Sequence, residues 1–467
     1  MDAFADTTGA TAPDPRRWLA LAVLLTGTLL PPLDFFIVNV ALPAIRLDLR
    51  AAADISQLVI SVYATAYAVT LILGGRLGDV FGRKRVFIGG MLGFGLASAL
   101  CGLAPRSEVL VIGRLLQGVS AALMAPQSLA SIHALFPAEE KSRALSLYGA
   151  TFGLASVGGQ LLGGVLISSS PLGLGWRSVF LINLPIIVCA VPAACMFLRE
   201  TRASRSERLD VTGAVLLAAA LLALVVPLIE GRERHWPWWY LGVMAACGPL
   251  LAVFWRHEKR WAKAGRTPLI LPSLLHIRGL RRSLAATLFF YALAAFFLVF
   301  AMYQQSGLGR DSAAAGLAIL PLGLGFFLGP LCAPTLTRTG LRAGVSGMLL
   351  EVVGLVMVAG LALVDAPSWM PAPLFLIGAG QGIALPALVR QSVDHVDPRH
   401  AGLASGVVNA TLQIGAAISV AVVGGVYFAV APDGAGAAEV REGFALASLV
   451  VGASLGMAAV LGWEHES

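Results

Sequence analysis

The chain has 467 residues, of which 57% are hydrophobic and only 13% charged. A soluble domain typically carries about 25% charged residues, so this composition excludes a water-soluble globule. The net charge of +7 would suit a nucleic-acid binder, but the lysines and arginines sit in short segments between apolar runs. Membrane topology places charge in that way, and a DNA-binding face does not.

Apolar runs of about 20 residues recur along the whole length, which is the signal of transmembrane helices. Lipid offers no water to unpaired backbone groups, so such runs must be helical. Barrel strands would alternate apolar and polar residues. In chain order the predicted spans are 18–41, 55–75, 85–104, 108–130, 143–167, 178–198, 209–229, 237–255, 283–303, 312–334, 342–364, 370–391, 402–428 and 443–463. The predicted fold class is therefore an all-α integral membrane protein with fourteen spans. Arg16 and Arg17 precede the first run as in a signal peptide, but no small-residue cleavage site follows promptly. The first run is read as a retained helix. An even count puts both termini on one side, and the distribution of Lys and Arg makes that side cytoplasmic. The basic cluster from Arg256 to Arg282 anchors this topology and is suited to anionic lipid heads. Trp236, Trp238 and Trp239 read as an interfacial belt on the outer side.

Cys101, Cys189, Cys195, Cys247 and Cys332 all lie in or beside apolar spans without a Cys-x-x-Cys pair. They are read as packing residues, with no disulfide framework and no metal site.

The chain contains an internal repeat. Gln117-Gly118 in the fourth span recurs as Gln381-Gly382 in the twelfth, at an offset of 264. Gly149 and Gly158 in the fifth recur as Gly406 and Gly415 in the thirteenth, at an offset of 257. Two related halves follow: a cytoplasmic tail 1–17, a six-helix bundle 18–198, a linker 199–282 holding two extra spans, a second six-helix bundle 283–463 and a tail 464–467. Two parallel halves around a central site is a transporter architecture.

Asp34 and Arg114 carry charge inside apolar spans. An ionised carboxylate in a bilayer costs several kcal/mol, so Asp34 is expected to face the interior or an aqueous cavity. There it can bind and release a proton, or serve as a buried structural partner. Arginine stays charged when buried, so Arg114 needs acceptors and is the natural partner for an acid. The loop GGRLGDVFGRKR carries Gly75, Gly78, Asp79, Gly82 and Arg83. Its glycines permit sharp turns, and Asp79 can pair with Arg83 or cap a helix. The segment around Arg338, Gly340 and Arg342 looks like a faded copy.

In the fifth span, GLASVGGQLLGG places Gly153, Gly159, Gln160, Gly163 and Gly164 along one helix. This is either plain tight packing or a bendable interface sealing one side of a cavity. Glu351, mid-span, is either functional or bound to an internal partner. Asn39, Tyr63, Gln117, Gln127, Tyr303, Gln304, Glu351, Gln381, Asn409 and Gln413 are the candidate cavity lining. Such a mix suits amphipathic organic ligands, although helix-to-helix hydrogen bonding explains any one of them.

These segments together resemble the major facilitator superfamily, and in particular its fourteen-span drug:proton antiporter branch. LDFFIVNVALP resembles that branch's first-helix signature, GRLGDVFGRKR the superfamily's loop motif and RLLQG its fourth-helix motif. WRSVFLINLP and GLASGVVNATLQIG also look like this branch. One departure stands out: Gly159-Gln160 replaces the Gly-Pro usual in the antiporter motif. The resemblance implies two bundles rocking around a central cavity, with Asp34 and Arg114 as the proton-coupling pair. It also implies Asp79 approaching the thirteenth helix near Gly402 to hold the outward-open state.

The expected function is proton-coupled export of small amphipathic organic molecules, such as antibiotics, from a bacterial cytoplasm. A proton-coupled importer on the same fold is the first alternative. A membrane-embedded enzyme is the second, and it is disfavoured because the seven histidines are scattered with no HExxH or Gly-x-Ser-x-Gly pattern. The chain is read as a non-enzyme without cofactor or metal, driven by the proton gradient. Its expected partners are a small organic substrate, protons and lipid, without nucleic acid, and it is expected to act as a monomer in the plasma membrane.

Overall fold

The computed structural model describes residues 15–463 apart from 51–52, 202–209, 232–236, 267, 271–275, 311, 339–341, 395, 397–400 and 433. Its described elements are helices throughout. The chain up to Phe197 forms α1 (Arg17–Asp48), α2 (Ala53–Phe81), α3 (Arg83–Gly102), α4 (Ser107–Leu135), α5 (Ala138–Ser169), α6 (Ser178–Leu181) and α7 (Asn183–Phe197). A central pair follows, α8 (Val211–Glu230) and α9 (Trp238–Lys263). The remainder comprises α10 (Arg278–Phe290), α11 (Leu293–Met302), α12 (Ser312–Ala318), α13 (Leu320–Arg338), α14 (Ala343–Leu363), α15 (Pro371–Asp394), α16 (Ala401–Val430) and α17 (Ala437–Trp463).

Among the described residues, eleven helices are long and apolar enough to cross a membrane, or twelve if α2 is counted across its 49° bend. The other two expected spans, the seventh and thirteenth, coincide with shorter apolar helices at Val211–Leu224 and Ile414–Val430. Three predicted spans are interrupted. The sixth is split into α6 and α7, where Pro185 lacks the N–H that would bond to the Leu181 carbonyl. The tenth is split into α12 and α13, where Pro321 likewise has no N–H for the Leu317 carbonyl. The ninth is split between α10 and α11 and ends in a π-turn, with Leu308 N–H reaching the Tyr303 carbonyl at 3.0 Å. Pro126, Pro192, Pro227, Pro249 and Pro386 lie inside helices. Neighbouring helices in a bundle re-satisfy the backbone groups that such prolines free.

Packing repeats along the chain as the sequence does. α4 packs on α2 and α3, and α15 packs on α13 and α14. Gly118 of α4 leaves room for the Tyr63 carbonyl of α2, 2.5 Å from where a Cβ would stand. Gly382 of α15 leaves room for the Phe326 carbonyl of α13 at the same 2.5 Å. Small residues let bare backbones approach in a bilayer, where apolar burial alone drives little association. Among the described residues, buried apolar side chains cluster over residues 286–459, over 20–198 and over 37–180, with smaller groups such as Leu217, Leu221, Phe254 and Leu269. α5 meets α13 and α2 meets α16 across these groups. α8 and α9 pair with each other, and α8 also touches α2 and α16. Only 17% of the α9 span is buried, against 67% for α15, so α9 lies at the periphery.

Candidate functional site: a buried ion pair shared by five helices

Asp34 is completely buried in α1, and Arg114 of α4 is among the largest fully buried side chains. Arg114 Nη1 forms an ion pair with Asp34 Oδ2. The same nitrogen donates to Gln117 Oε1 at 2.9 Å, and Nε donates to the Val59 carbonyl of α2 at 2.9 Å. Three residues apart on α4, Arg114 and Gln117 share one helix face. Gln117 Nε2 donates to Asp34 Oδ1 at 3.1 Å and to Ser98 Oγ of α3 at 2.8 Å. Asn183 Nδ2, at the start of α7, donates to the same Asp34 oxygen at 3.0 Å and to Ser98 Oγ at 3.2 Å. Tyr63 of α2 lays its ring 4.1 Å from the guanidinium carbon and donates its hydroxyl to the Pro31 carbonyl at 2.9 Å. Helices α1, α2, α3, α4 and α7 therefore converge on one carboxylate and one guanidinium. Hydrogen bonds to its remaining donors and acceptors offset the desolvation cost of a buried pair. Here Arg114 Nη2 is buried without a partner among the described residues.

Asp34 faces protein rather than hydrocarbon, and it does not line the cavity between α4, α5 and α15. That cavity is bounded by Leu129, Leu145, Tyr148, Gly149, Leu385, Pro386 and Val389. The next residue but one along α1, Phe36, meets Phe297 of α11 with ring centroids 5.8 Å apart. The first helix thus joins the ion pair to the facing half of the molecule.

The glycine-rich segment, expected as a loop, is instead helical up to Phe81 and again from Arg83, with Gly82 alone as the turn, and it is built around close approach. Gly82, at φ +101°, turns the chain from α2 into α3 and leaves room for the Glu200 carboxylate. Glu200 accepts from Lys84 N–H at 3.1 Å. Arg83 pairs with Asp79 at 3.3 Å and donates to the Ala130 carbonyl at 3.1 Å. Asp79 thus has Arg83 beside it, while the Gly402 side of the expected contact lies outside the described side chains. So do Asn409, Gln413, Trp236 of the expected belt and the faded copy at Arg338 and Gly340. Gly75 sits 3.7 Å from Pro126 by its would-be Cβ. At Gly78 a Cβ would fall on the Gln127 side chain, whose Nε2 donates to the Gly74 carbonyl at 2.7 Å. Gln127 therefore pins the bend of α2. Gly78→Val is expected to destabilise the protein by about 1–3 kcal/mol through overpacking, read as a lower unfolding midpoint in detergent. Adding Gln127→Ala should recover part of that loss.

On α5, Gly159 and Gly163 seat α1: their would-be Cβ atoms stand 2.9 Å from the Leu33 carbonyl and 3.2 Å from that of Ile37. Gly153 seats α13, with the Phe327 amide nitrogen 2.9 Å away. Gly164 has open space around it, and Gln160 reaches toward Gly316 of α12. The helix is a spacer between α1 on one side and α13 on the other.

The other candidates are dispersed. Asn39 is exposed and donates to the Phe35 carbonyl of its own helix at 3.0 Å. Tyr303 is buried against Phe444, ring centroids 4.4 Å apart, and Gln304 accepts from Arg310 at 2.9 Å. Glu351 is completely buried on α14. Gln381 of α15, with its amide turned to satisfy both groups, donates to Glu351 at 3.0 and 3.3 Å. The five cysteines are free thiols. Ser98, Asn183 and the cavity residue Tyr148 are not among the residues that sequence reasoning singles out. Asn183 alone carries a signal, as an amide within the apolar WRSVFLINLP segment. Where this segment begins, Arg177 and Trp176 donate to Oδ2 of Asp48, which lies past the Arg17–Leu42 span, at 2.6 and 2.9 Å. Arg177, and after it Trp176, hold the Asp48 carboxyl below the usual carboxylate range.

Residues 24–420 match the model of the Major Facilitator Superfamily, and the chain belongs to that family. It is 37% identical over 429 residues to a probable actinorhodin transporter of Streptomyces coelicolor, covering 90% of this chain and 74% of that one. It is 36% identical to a puromycin resistance protein of Streptomyces alboniger, covering 89% and 83%. It is 32% identical to a tetracenomycin C resistance and export protein of Streptomyces glaucescens, covering 88% and 76%. Among solved structures, the human organic anion transporter MFSD10 shares the fold with a TM-score of 0.66 at 17% identity, covering 95% of this chain and 100% of that one. This chain is therefore a multi-pass membrane protein of a transporter family.

Proposed function

We propose that the protein exports small amphipathic organic molecules, of the antibiotic kind, across the bacterial plasma membrane in exchange for protons. The single observation that carries the proton part is the Asp34–Arg114 pair, fully buried and gripped by five helices. The export part rests on the relatives' resistance and export roles. Asp34 is the group that binds the proton. Once neutral, it releases Arg114, whose charge must then be compensated by a rearrangement of α1 against α4. Through Phe36 and the α5 glycines that seat α1, that rearrangement reaches α11 and α13. A proton moving inward through 100 mV yields about 2.3 kcal/mol, which offsets the cost of moving cargo outward.

In this reading α8 and the shorter apolar stretch of α16 also span, giving fourteen helices with both termini cytoplasmic. Residues 18–198 and 283–463 are the two bundles, and α8–α9 form the linker pair. The separate buried cores and the repeated α4 and α15 packing support that division. Asp79 and Arg83 gate the cytoplasmic side, and the apolar cavity beside Tyr148 belongs to the substrate route. The protein works as a monomer without cofactor.

Efflux from a pump-deficient host across an antibiotic panel tests this, with and without an uncoupler. Reduced accumulation of at least one compound, abolished by the uncoupler, is the expected result. Uncoupler-insensitive efflux would remove the proton from the scheme, and raised accumulation would reverse the direction.

A further inference from the structure

A second buried cluster lies away from the ion pair, where the α8–α9 pair meets the chain that follows it. Asp210 caps α8, its Oδ1 accepting from Gly213 N–H at 2.8 Å. His257 Nε2 of α9 stands 2.9 and 3.0 Å from the two Asp210 oxygens. A single N–H there is shared between the two oxygens. Glu258, next on α9, is completely buried. Its Oε2 accepts from Ile270 N–H at 2.9 Å, while its Oε1 is buried with no hydrogen-bond partner. That orphaned oxygen is aimed at Asp210. It and Asp210 Oδ2 each lie 2.6 Å from the point where a Gly213 Cβ would stand. Two buried carboxyl groups crowded together either share a proton or hold a cation between them. A protonated His257 and the nearby Arg76 guanidinium both bring positive charge, yet neither hydrogen-bonds Glu258 Oε1.

We propose that Asp210, His257 and Glu258 form a binding site for one divalent transition-metal ion of the zinc class. Their ligand atoms all lie within 4.8 Å of one another, a spread that one ion with bonds of about 2.0–2.2 Å can draw together. Imidazole beside carboxylates selects zinc-like ions over magnesium, which demands an octahedron of oxygens. His257 is the partly exposed member, its side chain 22% accessible, and gives the ion its entry. Arg76 of α2 donates to the Pro268 carbonyl, two residues before Ile270. A bound ion therefore ties α8, α9 and the 268–270 segment together, and through Arg76 ties them to the glycine-rich end of α2. The site does not depend on proton coupling.

The test uses the full chain purified in detergent, stripped with a chelator and titrated calorimetrically with Zn²⁺, with Mg²⁺ in parallel. One equivalent of Zn²⁺ should bind and raise the unfolding midpoint, with no comparable effect of Mg²⁺. His257→Ala and Glu258→Gln should each weaken Zn²⁺ binding at least about 10-fold. Absence of Zn²⁺ binding to the unaltered chain overturns the proposal without any variant. So does binding that both variants leave unchanged, in which case Asp210 and Glu258 share a proton instead.

Discussion

Replacing Asp34 by asparagine is expected to abolish uncoupler-sensitive efflux and to destabilise the protein more than replacing Arg114 by glutamine. The asymmetry comes from what each change leaves behind. The new amide oxygen still accepts from Gln117 and Asn183, but the substitution leaves Arg114 charged and fully buried. Arginine cannot shed its proton in a protein, and breaking a buried pair from one side costs about 3–5 kcal/mol. Arg114→Gln leaves a carboxylate instead, and a carboxylate in that position neutralises itself by taking up a proton. The double variant Asp34→Asn with Arg114→Gln removes both charges. It should unfold at a higher temperature than Asp34→Asn alone while remaining inactive. Thermal unfolding in detergent, run beside efflux in membrane vesicles, separates the two effects. A double variant less stable than the single one would show that the pair is not the energetic centre of the first bundle. Active Asp34→Asn would show that the proton binds elsewhere.

The pair itself was legible in the sequence because charge inside a 20-residue apolar run is costly and stands out. The surroundings were not. Ser98 and Asn183 are small polar groups in apolar helices, where such residues occur routinely, and only the meeting of α3, α4 and α7 on Asp34 gives them a role. Gln117 and Gln381 were visible as a repeat. The structure adds that each meets a buried carboxyl group, Asp34 in the first half and Glu351 in the second. The split of α6 from α7 at Pro185, and of α12 from α13 at Pro321, was readable from the prolines but hidden by the unbroken hydrophobicity. The Asp210–His257–Glu258 cluster escaped because its members come from two helices, 47 residues apart at their closest hydrogen bond. No local spacing betrays such a site. The missing proline of the antiporter motif gains a spatial reading: Gln160 points from α5 toward α12 of the facing half.

Gly153 offers the sharpest handle on motion between the halves. Its would-be Cβ stands 2.9 Å from the Phe327 amide nitrogen and 3.1 Å from Phe326 Cβ. Backbone cannot yield as a side-chain tip can, so a larger residue there must push α5 away from α13. Gly153→Ala should cost little beyond a small shift of the two helices. Gly153→Leu should disfavour the conformation described here, by about 1–3 kcal/mol if overpacking behaves as in other cores. That corresponds to a shift of roughly 5- to 150-fold in a two-state equilibrium. If transport requires α5 and α13 to close and part in each cycle, such a bias slows the cycle without removing the ion pair. The expected signature is a protein that is folded and membrane-inserted, strongly impaired in efflux, with altered labelling of a cysteine placed on the α5–α13 seam by an impermeant maleimide. Gly164, with open space around it, is the matched control: Gly164→Leu should leave both labelling and efflux near the level of the unaltered protein. Equal behaviour of the two variants would mean that small residues on α5 serve the stability of the helix pair alone and that the rocking surface lies elsewhere.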